Sequence, residues 1–218
     1  MKTGAVLFDL DGTLLDTIED LTDSMNAALH ELGFPGHSVS ACKTLVGEGI
    51  EHFAAGALPP AAAADAATVR RTMDLMRAEY RTRWSRKTRP YDGIPALLEE
   101  LAARGLKLAV LSNKADDFTL MMVAHYFPRT AFETVVGARA GQARKPDPSP
   151  ALEVASTLGV PPAEVIFLGD TKTDMATAGG AGMVPVGALW GFRSAGELLA
   201  GGARYLISRP AELLGFIA

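Results

Sequence analysis

The sequence predicts an α/β protein, a doubly wound parallel sheet interrupted by an inserted all-helical segment. Three observations lead there. Short, continuous apolar runs recur along the chain, each closing on a polar or glycine-containing step, as strands buried on both faces do. Helical patterns that stop at glycine lie between several of these runs. Residues 16 to 89 break the alternation and carry helical patterns alone.

In chain order, Ala5 to Phe8 is the first expected strand, followed closely by Gly12. Thr17 to Leu32 is a helix stopped by Gly33, with Leu21, Met25, Ala28, Leu29 and Leu32 on one stripe. A turn at Pro35-Gly36 and an alanine-rich stretch after Pro59-Pro60 lead into a helix over Thr68 to Trp84. Met73, Met76, Tyr80 and Trp84 recur there at helical spacing and are read as core. Arg81, Arg83, Arg86, Lys87 and Arg89 form a solvated face and linker. The sheet resumes near Tyr91. Ile94 to Arg104 is a helix stopped by Gly105, and Leu106 to Leu111 is a strand ending in Ser112-Asn113. Phe132 to Val136 is a strand before Gly137, and Ser149 to Leu158 a helix stopped by Gly159. Val165 to Leu168 ends in Gly169-Asp170, and the small residues of Thr173 to Ala181 make a helix that packs closely on a sheet. Met183 to Val186 and the weaker Tyr205 to Ile207 complete the strands. The organisation expected is a core of residues 1–15 and 90–218, with residues 16–89 as an inserted helical cap domain.

Bulk properties narrow the function. A chain of 218 residues, 48% apolar, builds a core without disulfides or structural metal. The formal charge of −4 implies no nucleic-acid partner. Cys42, the single cysteine, has no internal disulfide partner and is read as a small buried hydrophobe. The first apolar run is stopped by Asp9 and Asp11, too soon for a signal core or a membrane span, and no later stretch is long enough. A cytoplasmic protein with no membrane partner, monomeric or weakly dimeric, is expected. His30, His37, His52 and His125 show no metal-ligand spacing. No apolar strand precedes Gly47-Glu48-Gly49, so it is no dinucleotide loop.

Ligands of open α/β sheets bind beyond the carboxyl ends of the strands. Asp9, Asp11, Gly12 and Thr13 follow the first expected strand, and Ser112, Asn113 and Lys114 the second. Lys145-Pro146 lies on a longer loop after the third, and Gly169, Asp170 and then Asp174 follow the fourth. Carboxylates, a hydroxyl and a lysine converging there suit an oxygen-ligated divalent cation beside a phosphate. Taken singly, Asp9, Asp11 and Asp170 read equally as strand-end or helix caps.

Asp9-Leu10-Asp11-Gly12-Thr13 resembles the first motif of the haloacid dehalogenase superfamily. Ser112, Lys145-Pro146 and the stretch Gly169 to Asp174 resemble its second, third and fourth, in the family's order. The resemblance spans the chain and implies a Rossmann-like core whose helical cap closes over the site. It also implies a magnesium-dependent phosphatase acting on a small phosphorylated metabolite. Asp9 would be the nucleophile, forming an aspartyl-phosphate, and Asp11 the general acid and then base. Mg²⁺ would be held by Asp9, Asp170 and the backbone carbonyl of Asp11. Asp174 would meet a metal-bound water or orient Lys145. Gly12, Thr13, Ser112, Asn113 and Lys145 would bind or frame the phosphate, with N–H groups around Gly12 facing it.

Within the family the chain looks most like the phosphoglycolate phosphatases, through Phe8 to Thr17, Leu45 to Gly49, Ser112-Asn113-Lys114, Gly169-Asp170-Thr171, Trp190 to Arg193 and Tyr205 to Ile207. Substrate choice is expected in the loop Leu45 to His52, with Lys43, Gly47, Glu48 and Gly49 as candidates, and with Lys114 from the core side to meet a substrate carboxylate. Pyrophosphatases, sugar-phosphate phosphatases and phosphomutases of the β-phosphoglucomutase kind carry the same motifs; isomer formation from a sugar 1-phosphate would separate the last. The second aspartate, Asp11, disfavours a dehalogenase. A phosphonate hydrolase would need a Schiff-base lysine, for which Lys43 is a thin candidate. A non-catalytic binding protein is disfavoured because every charged residue the chemistry needs is in place.

Overall fold

A computed structural model describes residues 2–217. The chain divides into two compact units, Met1–Leu15 with Pro90–Ala218, and Asp16–Arg89. In chain order, β1 (Ala5–Phe8) is followed by β2 (Leu15–Asp16) and then by α1 (Ile18–Glu31), α2 (Val39–Leu45), α3 (Ile50–Ala57), α4 (Pro60–Ala63) and α5 (Ala66–Arg83). After β3 (Arg89–Pro90) come α6 (Ile94–Ala103), β4 (Lys107–Ala115), α7 (Asp116–Tyr126), β5 (Phe132–Ala138) and α8 (Ser149–Leu158). Then follow β6 (Val165–Gly169), α9 (Lys172–Gly180), β7 (Val184–Ala188), α10 (Ala195–Ala200) and β8 (Tyr205–Ile207).

The larger unit is built on a six-stranded sheet of order β5-β4-β1-β6-β7-β8, and β2 pairs with β3 in a separate two-stranded ribbon. The pairings of the large sheet are parallel. Both faces of such a sheet are covered by helices, so all of Ala5 to Phe8 and Val165 to Gly169 are buried. Strand order matters more than strand count for function. From β1 the chain builds outward to β4 and β5, then crosses back to lay β6, β7 and β8 on the other side of β1. The carboxyl ends of β1, β4 and β6 therefore meet at the reversal, where a crevice opens in this topology.

One face of the sheet buries Leu7, Ala109, Leu111 and Phe167 against Ala151, Val154, Ala155 and Leu158 of α8 and Ala178 of α9. Each fully buried Leu or Phe contributes roughly 1.5–3 kcal/mol. Helix α9 begins at a capping box. The Thr171 hydroxyl accepts from the Asp174 N–H, and the Asp174 carboxylate accepts from the Thr171 N–H. Its small residues keep it close to the sheet, with Met175 and Ala178 wholly buried.

In the smaller unit α1 packs against α5. Met25, Ala28 and Leu29 of α1 are buried, as are Val69, Met76 and Tyr80 of α5 and Phe53, Ala54 and Ala57 of α3. Asp20 on α1 is also buried. Its carboxylate accepts from the N–H groups of Lys87 and Thr88 and from the Thr88 hydroxyl, at 2.8–3.2 Å. Cys42 is fully buried on α2, and burial pushes its thiol up, away from reactivity.

Several details depart from the sequence reading. Helices α2, α3, α7 and α10 were not expected as elements, whereas the alanine-rich stretch after Pro59 does open as helix α4. Strand β4 continues past Leu111 to Ala115, so Ser112, Asn113 and Lys114 belong to the strand rather than to a turn after it. An irregularity between Leu111 and Ala115 lets pairing with β5 resume at Ala115↔Ala138. Met73 on α5 and Trp84 at its C-cap are half-buried, and Val69 and Thr72 complete the buried stripe. Among the described residues, no helix is long and apolar enough to cross a membrane.

Candidate active site

Asp9 is the first residue beyond β1, held to the neighbouring strand by its N–H, which donates to the Leu168 carbonyl at 3.0 Å. The residue is buried, at 5% exposure. Lys145, 3% exposed as a residue, donates from its ammonium to Asp9 Oδ1 at 2.7 Å and to Asp174 Oδ1 at 2.6 Å. Asp174 Oδ2 in turn accepts from the N–H and the hydroxyl of Thr171, at 3.0 and 2.6 Å. Both oxygens of Asp174 are thus engaged, one on the lysine and one on the helix cap.

Asp170, at the end of β6, is fully buried. Its Oδ1 accepts from the Thr13 hydroxyl at 3.1 Å and its Oδ2 from the Phe192 N–H at 2.8 Å. One carboxylate oxygen from each of Asp9, Asp170 and Asp174 lies within 4.8 Å of the others. Burial raises Asp9 to about 7; Lys145 pulls it down, while Asp174 and Asp11 add to the rise. Burial likewise lifts Asp170 well above the usual carboxylate range, with Asp9 and Asp174 adding to it. Burial lowers Lys145, but Asp174 and Asp9 outweigh it and leave the ammonium more firmly protonated than a free lysine. Carboxylates thus outnumber ammonium groups in a buried site, which fits an oxygen-seeking divalent cation.

Glycine shapes this cluster. Gly12 has φ +90°, and a Cβ there would lie 2.3 Å from Asp170 Oδ2. A Cβ on Gly191 would lie 2.3 Å from Asp170 Cβ and 2.5 Å from the Gly12 carbonyl. The N–H of Gly12, expected to face a phosphate, donates instead to the Leu15 carbonyl at 2.8 Å, and that of Thr13 donates to Leu10 at 3.3 Å. These two residues tie the turn and Asp170 together. Asn113 also differs from expectation: its amide donates to the Lys145 carbonyl at 2.9 Å and braces the loop carrying that lysine. Ser112 is buried beside it, its hydroxyl accepting from the Lys114 N–H at 3.2 Å.

Lys114 is placed on Asp11. Its ammonium donates to Asp11 Oδ1 at 2.9 Å and to Oδ2 at 3.1 Å. The segment Trp190 to Phe192, known from the sequence only as part of a family likeness, supports the same turn. The Trp190 indole N–H donates to the Thr13 carbonyl at 3.0 Å, alongside the Phe192 bond to Asp170. Backbone donors leave no chemical signature in a sequence; the adjacent Trp-Gly pair after β7 was the available signal.

The remaining candidates belong to the helical unit. Lys43 lies in the last turn of α2. Gly47 and Gly49 have φ of +125° and +94°, and Gly49 is the N-cap of α3. The expected loop Leu45 to His52 is therefore shorter, since Ile50 onward is helix. Glu48 lies 3.7 Å from the His52 ring.

A family model described as haloacid dehalogenase-like hydrolase matches residues 6–188. A phosphoglycolate phosphatase of Thiobacillus denitrificans is 33% identical over 180 residues, 82% of this chain and 79% of its own. One from Xanthomonas campestris is 30% identical over 210 residues, 96% of this chain and 94% of its own. Among solved structures, one from Lactobacillus delbrueckii subsp. bulgaricus, provisionally named a phosphoglycolate phosphatase, has a TM-score of 0.92. It is 30% identical and covers 100% of this chain and 99% of its own. A haloacid dehalogenase-like family protein of Streptococcus pneumoniae, 24% identical with 98% of each chain covered, shares the fold at a TM-score of 0.87.

Proposed function

The chain belongs to the haloacid dehalogenase-like hydrolases and is a phosphatase, and from that premise we propose that it hydrolyses 2-phosphoglycolate to glycolate and phosphate through an aspartyl-phosphate on Asp9. The observation that carries the mechanism is the Lys145 ammonium bridging Asp9 and Asp174 beside the buried Asp170.

In the first step an Asp9 carboxylate oxygen bonds to phosphorus as the bond from phosphorus to the ester oxygen breaks. Asp11 gives a proton to that departing oxygen. In the second, Asp11 takes a proton from water as the water oxygen bonds to phosphorus, releasing phosphate and restoring the Asp9 carboxylate. Lys145 and Ser112 bind phosphoryl oxygens and balance charge in the transition state. Asp174 aims Lys145, Asn113 braces its backbone, and Thr13 and Phe192 fix Asp170.

Asp9, Asp170 and the backbone carbonyl of Asp11 would hold Mg²⁺, and the buried oxygen donors fit that ion. When bound it would neutralise the carboxylates and polarise the phosphoryl group. The substrate reading rests on relatives named phosphoglycolate phosphatases that match across most of the chain. The same reading takes the protein as a cytoplasmic enzyme for a small phosphorylated metabolite.

The test is phosphate release from 2-phosphoglycolate, pyrophosphate and β-glucose 1-phosphate, with and without Mg²⁺, and with Asp9→Asn as control. Preference for 2-phosphoglycolate that disappears in the control supports the reading. Preference for another ester keeps the mechanism and discards the substrate, and isomer formation from the sugar phosphate would identify a phosphomutase.

A further inference from the structure

Asp11 and Lys114 lie 103 residues apart in sequence, yet the fold makes them neighbours. Strands β1 and β4 are adjacent and parallel, with Phe8 level with Val110, so the chain just beyond each passes the same edge of the sheet. Both oxygens of Asp11 are engaged by the one ammonium, at 2.9 and 3.1 Å. The pair is sheltered: the Lys114 side chain is 7% exposed and that of Asp11 12%. The root of Lys114 is fixed at both ends, its N–H donating to Ser112 Oγ and its carbonyl accepting from the Thr119 hydroxyl. The ammonium itself is carried on a four-carbon stem with several rotatable bonds.

Lys145 serves the buried carboxylates of Asp9 and Asp174, whereas Lys114 holds Asp11. Lys114 is thus committed to the residue that must bond first the departing oxygen and then water. Because one ammonium bridges both oxygens, Asp11 cannot turn toward another partner without giving up hydrogen bonds to Lys114. We propose that Lys114 is a positioning residue that parks Asp11 until a leaving group with its own negative charge, a carboxylate one methylene from the ester oxygen, draws the ammonium away. The inference rests on the phosphoglycolate reading and deepens it. The same charge that identifies the leaving group releases the acid that expels it, so a phosphomonoester without that charge binds but leaves Asp11 engaged. Selectivity is then expressed in kcat as well as in KM.

The experiment compares wild type, Lys114→Met and Lys114→Arg on 2-phosphoglycolate and on 2-hydroxyethyl phosphate, which replaces the carboxylate by a neutral alcohol group. In wild type, kcat for phosphoglycolate should exceed that for the neutral ester by about tenfold or more. Lys114→Met should lower kcat/KM for phosphoglycolate about tenfold while raising kcat for the neutral ester about threefold or more. Lys114→Arg should keep the wild-type order of preference, which a folding defect would not. In an Asp9→Asn background, calorimetric titration should show Lys114→Met weakening phosphoglycolate about tenfold and the neutral ester by less than about twofold. A parallel fall in kcat for both esters, or no change in either, overturns the proposal. Wild-type protein that hydrolyses neither ester overturns the substrate reading and this proposal with it. In an enzyme active on phosphoglycolate, failure of Lys114→Met to raise kcat for the neutral ester while lowering kcat/KM for phosphoglycolate overturns this proposal alone.

Discussion

Lys145 Nζ stands 2.7 Å from Asp9 Oδ1 and 2.6 Å from Asp174 Oδ1, so one buried ammonium neutralises part of two carboxylates, one just beyond β1 and one in the first turn of α9. Its removal leaves those carboxylates uncompensated, which typically costs about 3–5 kcal/mol for a buried pair. Lys145→Met should therefore lower kcat by about 10²–10³-fold, and should lower the melting temperature of metal-free protein. Added Mg²⁺ should recover part of the stability and little of the activity. Steady-state assays and thermal melts with and without Mg²⁺ would check both, and a variant retaining more than about a tenth of wild-type kcat would contradict the assigned role.

Asp9→Asn replaces the nucleophile by an amide of the same shape. Phosphate release should fall at least about 10⁴-fold. Acid-quenched protein, which in wild type should carry phosphate bound at Asp9, should carry none. Residual turnover of the same order as wild type would remove Asp9 from the chemistry.

The pH dependence follows from the raised carboxylates. Asp9 binds its proton more tightly in the folded state, at about 7, than at its ordinary 3.8, and Asp170 is raised also. The stability Asp9 contributes in this way is fully present below its ordinary value and is lost as pH rises through about 7, and that of Asp170 is lost in the same direction. A cation binding the same oxygens replaces the protons, so it should stabilise most where the protons are gone. The rise in melting temperature caused by Mg²⁺ should thus be clearly larger at about pH 8 than at about pH 5. An equal rise at both would show that the cation binds elsewhere.

Gly191→Ala places a methyl group 2.3 Å from Asp170 Cβ and 2.5 Å from the Gly12 carbonyl. Backbone and a pinned carboxylate cannot yield as the end of a flexible side chain would. The substitution should weaken Mg²⁺ affinity and lower kcat/KM by about 10²-fold. Titration of activity against Mg²⁺ would separate the two effects.

Asp20→Ala in the helical unit leaves the N–H groups of Lys87 and Thr88 and the Thr88 hydroxyl without their carboxylate. A loss of about 1.5–3 kcal/mol is expected in denaturant titration.

The buried strands were legible because both faces are covered, which writes an uninterrupted apolar run such as Ala5 to Phe8 into the sequence. The motif carboxylates were legible because topology carries strand ends to one edge. Helix α7 was not, because Phe118 to Val123 is apolar on several sides, with Leu120 and Met121 exposed and Phe118 and Met122 buried. The extension of β4 was hidden by the polar run Ser112 to Lys114, which reads as a turn until Ala115 pairs with Ala138. The contact of Lys114 with Asp11 depends on strand adjacency, and the bonds from Phe192 and Trp190 on backbone groups, so neither is encoded in local residue pattern.

The pairing of β2 with β3 sets the outgoing and returning strands of the helical segment side by side. A graft therefore needs to match only two neighbouring ends, and the strand order of the larger unit need not change to receive it. Segments of other lengths, joined at Leu15 and Pro90, could be exchanged here as cassettes, with the hydrolytic residues of the recipient left untouched.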